Sequence, residues 1–263
     1  MEPSFNPNFD GTDVPKTFRV TIVIPCYNEA RRLQVQRFRD FLAPNHSKHI
    51  LFVDDGSRDD TVKLLEQICC GFEDRAGILQ FDRNKGKAEA VRWGINHALN
   101  TFDQDIIGYW DADLATPLDS VGRFLAVLDD HPRIEMVFGS RIKLLGRRVE
   151  RHATRHYLGR TFATVVSVML RLPIYDTQCG AKLFRVGENL RRAFADPFLS
   201  KWVFDVEIIA RYLQLYRDDS RRLEEAIYEY PLEVWIDIEG SKVRPKDFFR
   251  AFVDVVRIKR KYL

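Results

Sequence analysis

This chain of 263 residues contains no run that could cross a bilayer as a helix: its longest uninterrupted apolar stretch is five residues, against the roughly 20 required. Its N-terminus has neither the basic start nor the apolar stretch of a secretory signal. Cys26, Cys69, Cys70 and Cys179 lack disulfide or metal-ligand spacing, and the six histidines form no metal set, so reduced thiols in a cytoplasmic setting are expected. The glycine signatures G-x-G-x-x-G and G-x-x-x-x-G-K-[ST] are both missing, which argues against a dehydrogenase and against an NTPase. Net charge is small. Lys+Arg 41 against Asp+Glu 38 leaves +3, too balanced for a general nucleic-acid binder. With 45% hydrophobic residues the chain can still build a large core, and no low-complexity tract or internal repeat interrupts it.

The small total hides an uneven distribution. Residues 141–160 carry seven Lys/Arg and one acid, and residues 242–261 carry eight Lys/Arg and two acids, so each segment is +6 and the remainder is −9. Two basic patches therefore sit on an acidic body.

Short β-branched runs at 20–25, 50–54, 78–81, 106–110 and 134–138 read as buried parallel strands. Helical patterns at 30–42, 60–70, 87–99 and 118–128 alternate with them, which predicts an α/β fold with a mostly parallel sheet and helices on its flanks. In such sheets the ligand lies beyond the carboxyl ends of the strands. All five of those ends carry polar or glycine-rich chemistry: Pro25-Cys26-Tyr27-Asn28-Glu29, Asp54-Asp55-Gly56-Ser57, Asn84-Lys85-Gly86-Lys87, Asp111-Ala112-Asp113 and Gly139-Ser140-Arg141. One such end is commonly a helix cap, but five at one rim exceed capping. The second half predicts a long helix at 151–172, a loop at 176–182 leading into a strand at 183–185, a helix at 202–216, a strand at 227–236 and a basic amphipathic helix at 248–261. Residues 1–17 are expected to be a flexible tail and 18–263 one domain of two halves, 18–141 and 142–263.

Asp111 and Asp113 place two hard oxygen donors within reach of one divalent ion, of the kind Mg²⁺ or Mn²⁺ prefers when it bridges to substrate phosphates. A lone D-x-D is equally a turn cap. Lys85 and Lys87 on the same rim could meet diphosphate oxygens, and Asp54 and Asp55 could accept from a base or ribose, so the rim suits a nucleotide diphosphate.

In order and spacing, the first four of the five strand-end motifs, with Asp59-x-Thr61, resemble those of the inverting family 2 glycosyltransferases of the GT-A fold, which implies a nucleotide-sugar half at 18–141 and an acceptor half at 142–263. In the second half, Asp176-Thr177-Gln178-Cys179-Gly180-x-Lys182, Trp202-x-Phe204-Asp205-Val206-Glu207 and Glu239-Gly240-Ser241-Lys242 are similar to the dolichyl-phosphate glucosyltransferase branch, whose members move glucose from UDP-glucose to a polyprenyl phosphate. The resemblance implies that Pro25, Tyr27, Glu29 and Asp55 surround uracil and ribose, with Asp54 beside them. It puts Lys87 near the diphosphate, Asp111 and Asp113 at a Mg²⁺ or Mn²⁺ ion, Arg141 and Arg155 at the lipid phosphate, and Asp113, Asp176 and Lys182 in the catalytic set. The chain departs from related mannosyl enzymes at Ala115, which cannot add a metal ligand, and from the wider family at Ala88 after Lys87. Its lack of a spanning run leaves dolichyl and bacterial-type polyprenyl phosphates both open.

The basic segments at 151–172 and 248–261 combine an apolar stripe with clustered cations, as a helix lying on an anionic membrane surface would, which predicts peripheral attachment at the cytoplasmic face. The bland alternative is that both stripes pack on the core. UDP-glucose is the favoured donor, with GDP-mannose or another nucleotide sugar, a soluble acceptor, and a non-catalytic nucleotide-sugar sensor as the rival readings.

Overall fold

The computed structural model describes residues 18–44, 47–150, 153–217, 220–238 and 245–263. The expected tail at 1–17 and the Glu239-Gly240-Ser241-Lys242 motif lie outside the described residues. The first half runs β1 (Val20–Cys26), α1 (Val35–Leu42), β2 (Lys48–Asp54), α2 (Thr61–Cys69), β3 (Ala76–Gln80), α3 (Lys87–Thr101), β4 (Ile106–Trp110), α4 (Ser120–Asp130) and β5 (Met136–Ser140). The second half adds β6 (Arg148–Glu150), α5 (Ala153–Leu170), β7 (Ala181–Arg185), α6 (Glu188–Ala195), α7 (Phe204–Leu215), α8 (Ser220–Ala226), β8 (Ile227–Pro231), β9 (Val234–Ile236) and α9 (Pro245–Tyr262).

Among the described residues a seven-stranded sheet has the order β3-β2-β1-β4-β7-β5-β8. Strands β1 to β4 are parallel, and β5 pairs parallel with β8. Strand β7 enters between β4 and β5 antiparallel to both, with Trp110 opposite Ala181 and Phe138 opposite Lys182. That reversal has a consequence for the site. Because β7 runs the other way, its start and the loop before it reach the same rim as the ends of β1, β4 and β5.

Alternation along the strands divides the core between the two faces. Val23, Leu51 and Val53 pack with α3, α5, α6, α7 and α9, whereas Ile22, Ile24, Ile50 and Phe52 pack with α1, α2 and α4. Some sequence expectations change here. The helix expected from residue 30 starts at Val35, because Glu29 and Arg32 close a tight turn in which Arg32 N and Leu33 N both donate to Glu29 O. The single strand expected at 227–236 is two: β8 ends at Pro231, and β9 leaves the main sheet to pair with β6. A proline contributes no amide to a ladder, so the strand stops there.

The apolar stripes of α5 and α9 each divide in two. Phe162, Val166 and Leu170 of α5 and Ala251, Val255, Ile258 and Tyr262 of α9 are buried. Val165 and Val168 of α5, and Phe252, Val253 and Val256 of α9, remain exposed, with Val168 at 72%. Phe162 and Phe252 meet edge to face, 5.8 Å between ring centroids, joining the two helices. Core packing therefore accounts for only one face of each helix.

Candidate active site

The carboxyl-end rim opens into a cavity of about 880 Å³. Of the residues expected at the site, Pro25, Tyr27, Glu29, Asp55, Lys87, Asp111, Asp113, Arg141 and Asp176 line it. Asp54 and Lys182 do not, and the side chain of Arg155, on α5, lies outside the described residues.

At the end of β2 the two aspartates separate. Asp54 is fully buried and accepts from Ser57 N at 3.3 and 3.2 Å, so it closes the turn beneath the rim. Asp55 accepts from Lys85 N at 2.6 Å and Gly86 N at 2.8 Å, tying β2 to the loop before α3. Burial pushes its carboxyl above the ordinary range, against the pull of those two amides. Gly86 sits at φ +99°, a left-handed conformation that suits glycine, and this aims Lys87 across the rim.

Lys87 Nζ lies 2.5 Å from Asp111 Oδ1 at the end of β4. Asp113 is held from two sides: Oδ1 accepts from Ala115 N at 3.1 Å, and Oδ2 lies 3.7 Å from Arg32 Nη1. Asp113 is thus a turn cap and a cavity carboxylate at once. Burial, and then the charge of Asp111, hold its carboxyl above the usual value. Arg32 in turn forms a two-pronged pair with Glu29, at 2.8 and 2.6 Å. Arg32 belongs to none of the strand-end motifs; its signal in the sequence is the Glu29-x-x-Arg32 spacing directly after a strand end.

Arg141, also lining the cavity, donates through Nε and Nη2 to Asp176 at 2.6 and 2.8 Å, and Arg141 N adds a third bond at 3.1 Å. Burial alone would disfavour the guanidinium charge, but the Asp176 carboxylate more than reverses this and holds Arg141 firmly protonated. The loop is pinned from β8 as well, where Glu229 accepts from Tyr175 N at 2.8 Å and Asp176 N at 2.6 Å.

Lys182 corrects its expected role. It is fully buried, and Nζ donates to Thr177 O at 3.0 Å, Cys179 O at 2.6 Å and Asp205 Oδ1 at 2.7 Å. An ammonium has three protons and all are used, so Lys182 has none to offer a substrate. The site residue at its far end is Asp205, which lines the cavity and was seen in the sequence only as part of a helix motif. Gly180 completes the contact between the halves: Asp111 N donates to Gly180 O at 2.9 Å, and a Cβ at Gly180 would overlap the Asp111 carboxylate.

Among the described residues there is no group of three or more His, Cys, Asp or Glu side chains that could hold a metal. Asp111 and Asp113 both line the cavity, and the charge of Asp111 acts on Asp113. Two carboxylates completed by substrate phosphates are the usual arrangement for Mg²⁺, and both of these are hard oxygen donors at the cavity wall. The residues fit such an ion.

A sheet of this order, with a D-x-D at the end of a central strand and a reversed strand closing the rim, is the GT-A arrangement. The model for glycosyl transferase family 2 matches residues 21–189, and the chain belongs to that family; it is a glycosyltransferase. More particularly, it is 30% identical to dolichyl-phosphate beta-glucosyltransferase of Homo sapiens over 94% of this chain and 76% of that one. It is 31% identical to the protein of the same name from Dictyostelium discoideum, over 93% of this chain and 75% of the other. Among solved structures, glucosyl-3-phosphoglycerate synthase from Mycobacterium tuberculosis with Mn²⁺, UDP-glucose and phosphoglyceric acid superposes with a TM-score of 0.65. That likeness covers 92% of this chain and 80% of the other at 17% identity, and it is a likeness of fold.

Proposed function

We propose that this glycosyltransferase transfers glucose from UDP-glucose to dolichyl phosphate or a related polyprenyl phosphate, with inversion, at a membrane surface. The observation that carries the reading is one cavity lined both by a carboxylate pair with Lys87 and by the Arg141–Asp176 pair. The dolichyl-phosphate beta-glucosyltransferases that the chain resembles over more than nine-tenths of its length support the donor and the lipid. The exposed apolar faces of α5 and α9 support the membrane surface. The basic last turn of α9, Lys259-Arg260-Lys261, adds charge suited to anionic lipid.

The chemistry is one in-line displacement. An oxygen of the acceptor phosphate forms a bond to the anomeric carbon while that carbon's bond to the β-phosphate oxygen breaks, and the electron pair leaves with UDP. The acceptor is already an anion near neutral pH, so no base has to remove a proton. Catalysis rests on position and charge. Asp111 and Asp113 would hold a divalent ion, which when bound neutralises charge on the departing diphosphate. Lys87 adds a fixed cation beside it. Arg141 spends Nε and Nη2 on Asp176 and keeps Nη1 for the attacking phosphate. Asp176 brings a carboxylate to the carbon where positive charge develops.

The test is transfer of radiolabel from UDP-glucose to a polyprenyl phosphate in detergent with Mn²⁺, read as an organic-extractable glycolipid. Label in the lipid fraction supports the reading. Transfer from GDP-mannose instead would replace the sugar, transfer only to a soluble phosphorylated acceptor would replace the lipid, and no transfer from any nucleotide sugar would overturn the reading.

A further inference from the structure

Neither the carboxylate pair nor the Arg141–Asp176 pair accounts for the hydroxyls of a sugar, yet the wall between them carries two incompletely used polar groups. Gln178 and Asp205 both line the cavity. Gln178 Nε2 is buried without a hydrogen-bond partner among the described residues. Asp205 accepts from Lys182 Nζ and from the Tyr109 hydroxyl, both at Oδ1, and no described residue donates to Oδ2. A donor and an acceptor oxygen are thus left over on one wall.

One buried cation holds both. The carbonyls that Lys182 binds belong to Thr177 and Cys179, on either side of Gln178, and its third proton goes to Asp205. Gln178 N also donates to Asp176 Oδ1 at 3.1 Å, which links this wall to the acceptor end. The same wall also abuts Asp111 and Lys87, the residues proposed to meet the diphosphate. Gly180 is packed against the Asp111 carboxylate, and Lys87 Nζ lies 6.0 Å from the ring centroid of Phe204, the residue before Asp205. A group attached to a diphosphate held by Lys87 and Asp111 would therefore face Gln178 and Asp205.

We infer that Gln178 and Asp205 read the hexose of a nucleotide hexose, the amide donating to one hydroxyl and the Asp205 carboxylate accepting from another, with Lys182 as the positioning residue for both. The inference rests on the donor half of the proposed function. A carboxylate at this place also disfavours sugars that carry an acid of their own, so neutral hexoses are the matching class.

Calorimetric titration with Mn²⁺ gives the ratio of the dissociation constants for UDP-glucose and UDP, which isolates the hexose. Gln178→Ala, which breaks no internal hydrogen bond of the side-chain amide, should raise that ratio about three- to tenfold, the scale of one lost hydrogen bond. Asp205→Asn should raise it about tenfold or more and lessen the discrimination against UDP-glucuronate. Lys182→Met should raise it as much as the larger of the two. UDP affinity within about twofold of the parent's confirms that each variant is folded; if a Lys182 or Asp205 variant fails that check, Gln178→Ala decides. Unchanged ratios in variants that still bind UDP overturn the inference. A parent protein that binds no uridine nucleotide refutes the donor reading and this pair with it. A parent that binds UDP-glucose yet forms no glycolipid refutes only the acceptor.

Discussion

Single carboxylates at this rim carry different loads, and substitution should separate them. Asp113→Asn leaves an oxygen at Oδ1 to accept from Ala115 N, so the turn should survive. A neutral amide also suits a position where burial already disfavours the charge. What the amide lacks is affinity for a hard cation. We expect thermal stability of the free variant to match or exceed the parent's, while transfer drops roughly a hundredfold or more, the scale on which a lost charge-stabilising group is felt. Thermal shifts should show that Mn²⁺ no longer adds to stabilisation by UDP. A variant with normal turnover would reduce Asp113 to its capping role. How such residues read in the sequence depends on what decides them. Asp111 and Asp113 were legible because strand, D-x-D and turn are adjacent in the chain. Asp54 looked equivalent to Asp55, and only the backbone direction at the end of β2 turned one under the rim and the other into the cavity.

Elements meet at buried charges. Glu207 of α7 is fully buried, accepting from Leu199 N at 2.7 Å, Arg211 Nη2 at 2.8 Å and the Tyr262 hydroxyl of α9 at 2.8 Å. It fastens both the terminal helix and the segment leading to Lys201 and Trp202, two residues of the cavity wall. Glu207→Ala leaves Arg211 buried without its carboxylate, and urea unfolding should show a loss of about 3–5 kcal/mol. Tyr262→Phe removes one neutral donor and should cost about 1 kcal/mol. Near-equal costs would mean that the ion pair contributes nothing beyond its packing. The periodicity of α7 and α9 was plain in the sequence, but periodicity does not say which apolar face is covered. On α9, Phe252 and Val256 are exposed, while Ala251, Val255 and Ile258 take the core.

At the scale of the whole molecule no described helix is long and apolar enough to cross a membrane. Under the proposed function, attachment to a membrane surface would rest on exposed apolar side chains together with charge. Replacing Arg257, Lys259, Arg260 and Lys261 by Ser removes four cations from α9 and keeps Phe252, Val253 and Val256. At about 1 kcal/mol for each cation near an anionic leaflet, affinity for anionic vesicles should fall by several kcal/mol at low salt and by less as salt rises. Neutral vesicles should bind parent and variant alike, and transfer to a short water-soluble acceptor phosphate should persist. Equal sedimentation of both proteins with anionic vesicles would make the terminal charges a solvated face.

By itself the sequence determined what is local: which runs are strands, which residues stand at their ends, and the order of the motifs. Those follow from side-chain period, backbone preference and adjacency along the chain, none of which needs a partner. The tertiary structure decided the pairings. Arg141 and Asp176 are 35 residues apart and meet because β7 reverses between β4 and β5 and carries its preceding loop to the rim. The same reversal points Lys182 inward from the middle of the sheet. A lone buried ammonium is costly, so it satisfies itself with two carbonyls and Asp205 and is withdrawn from the substrate it had seemed to face.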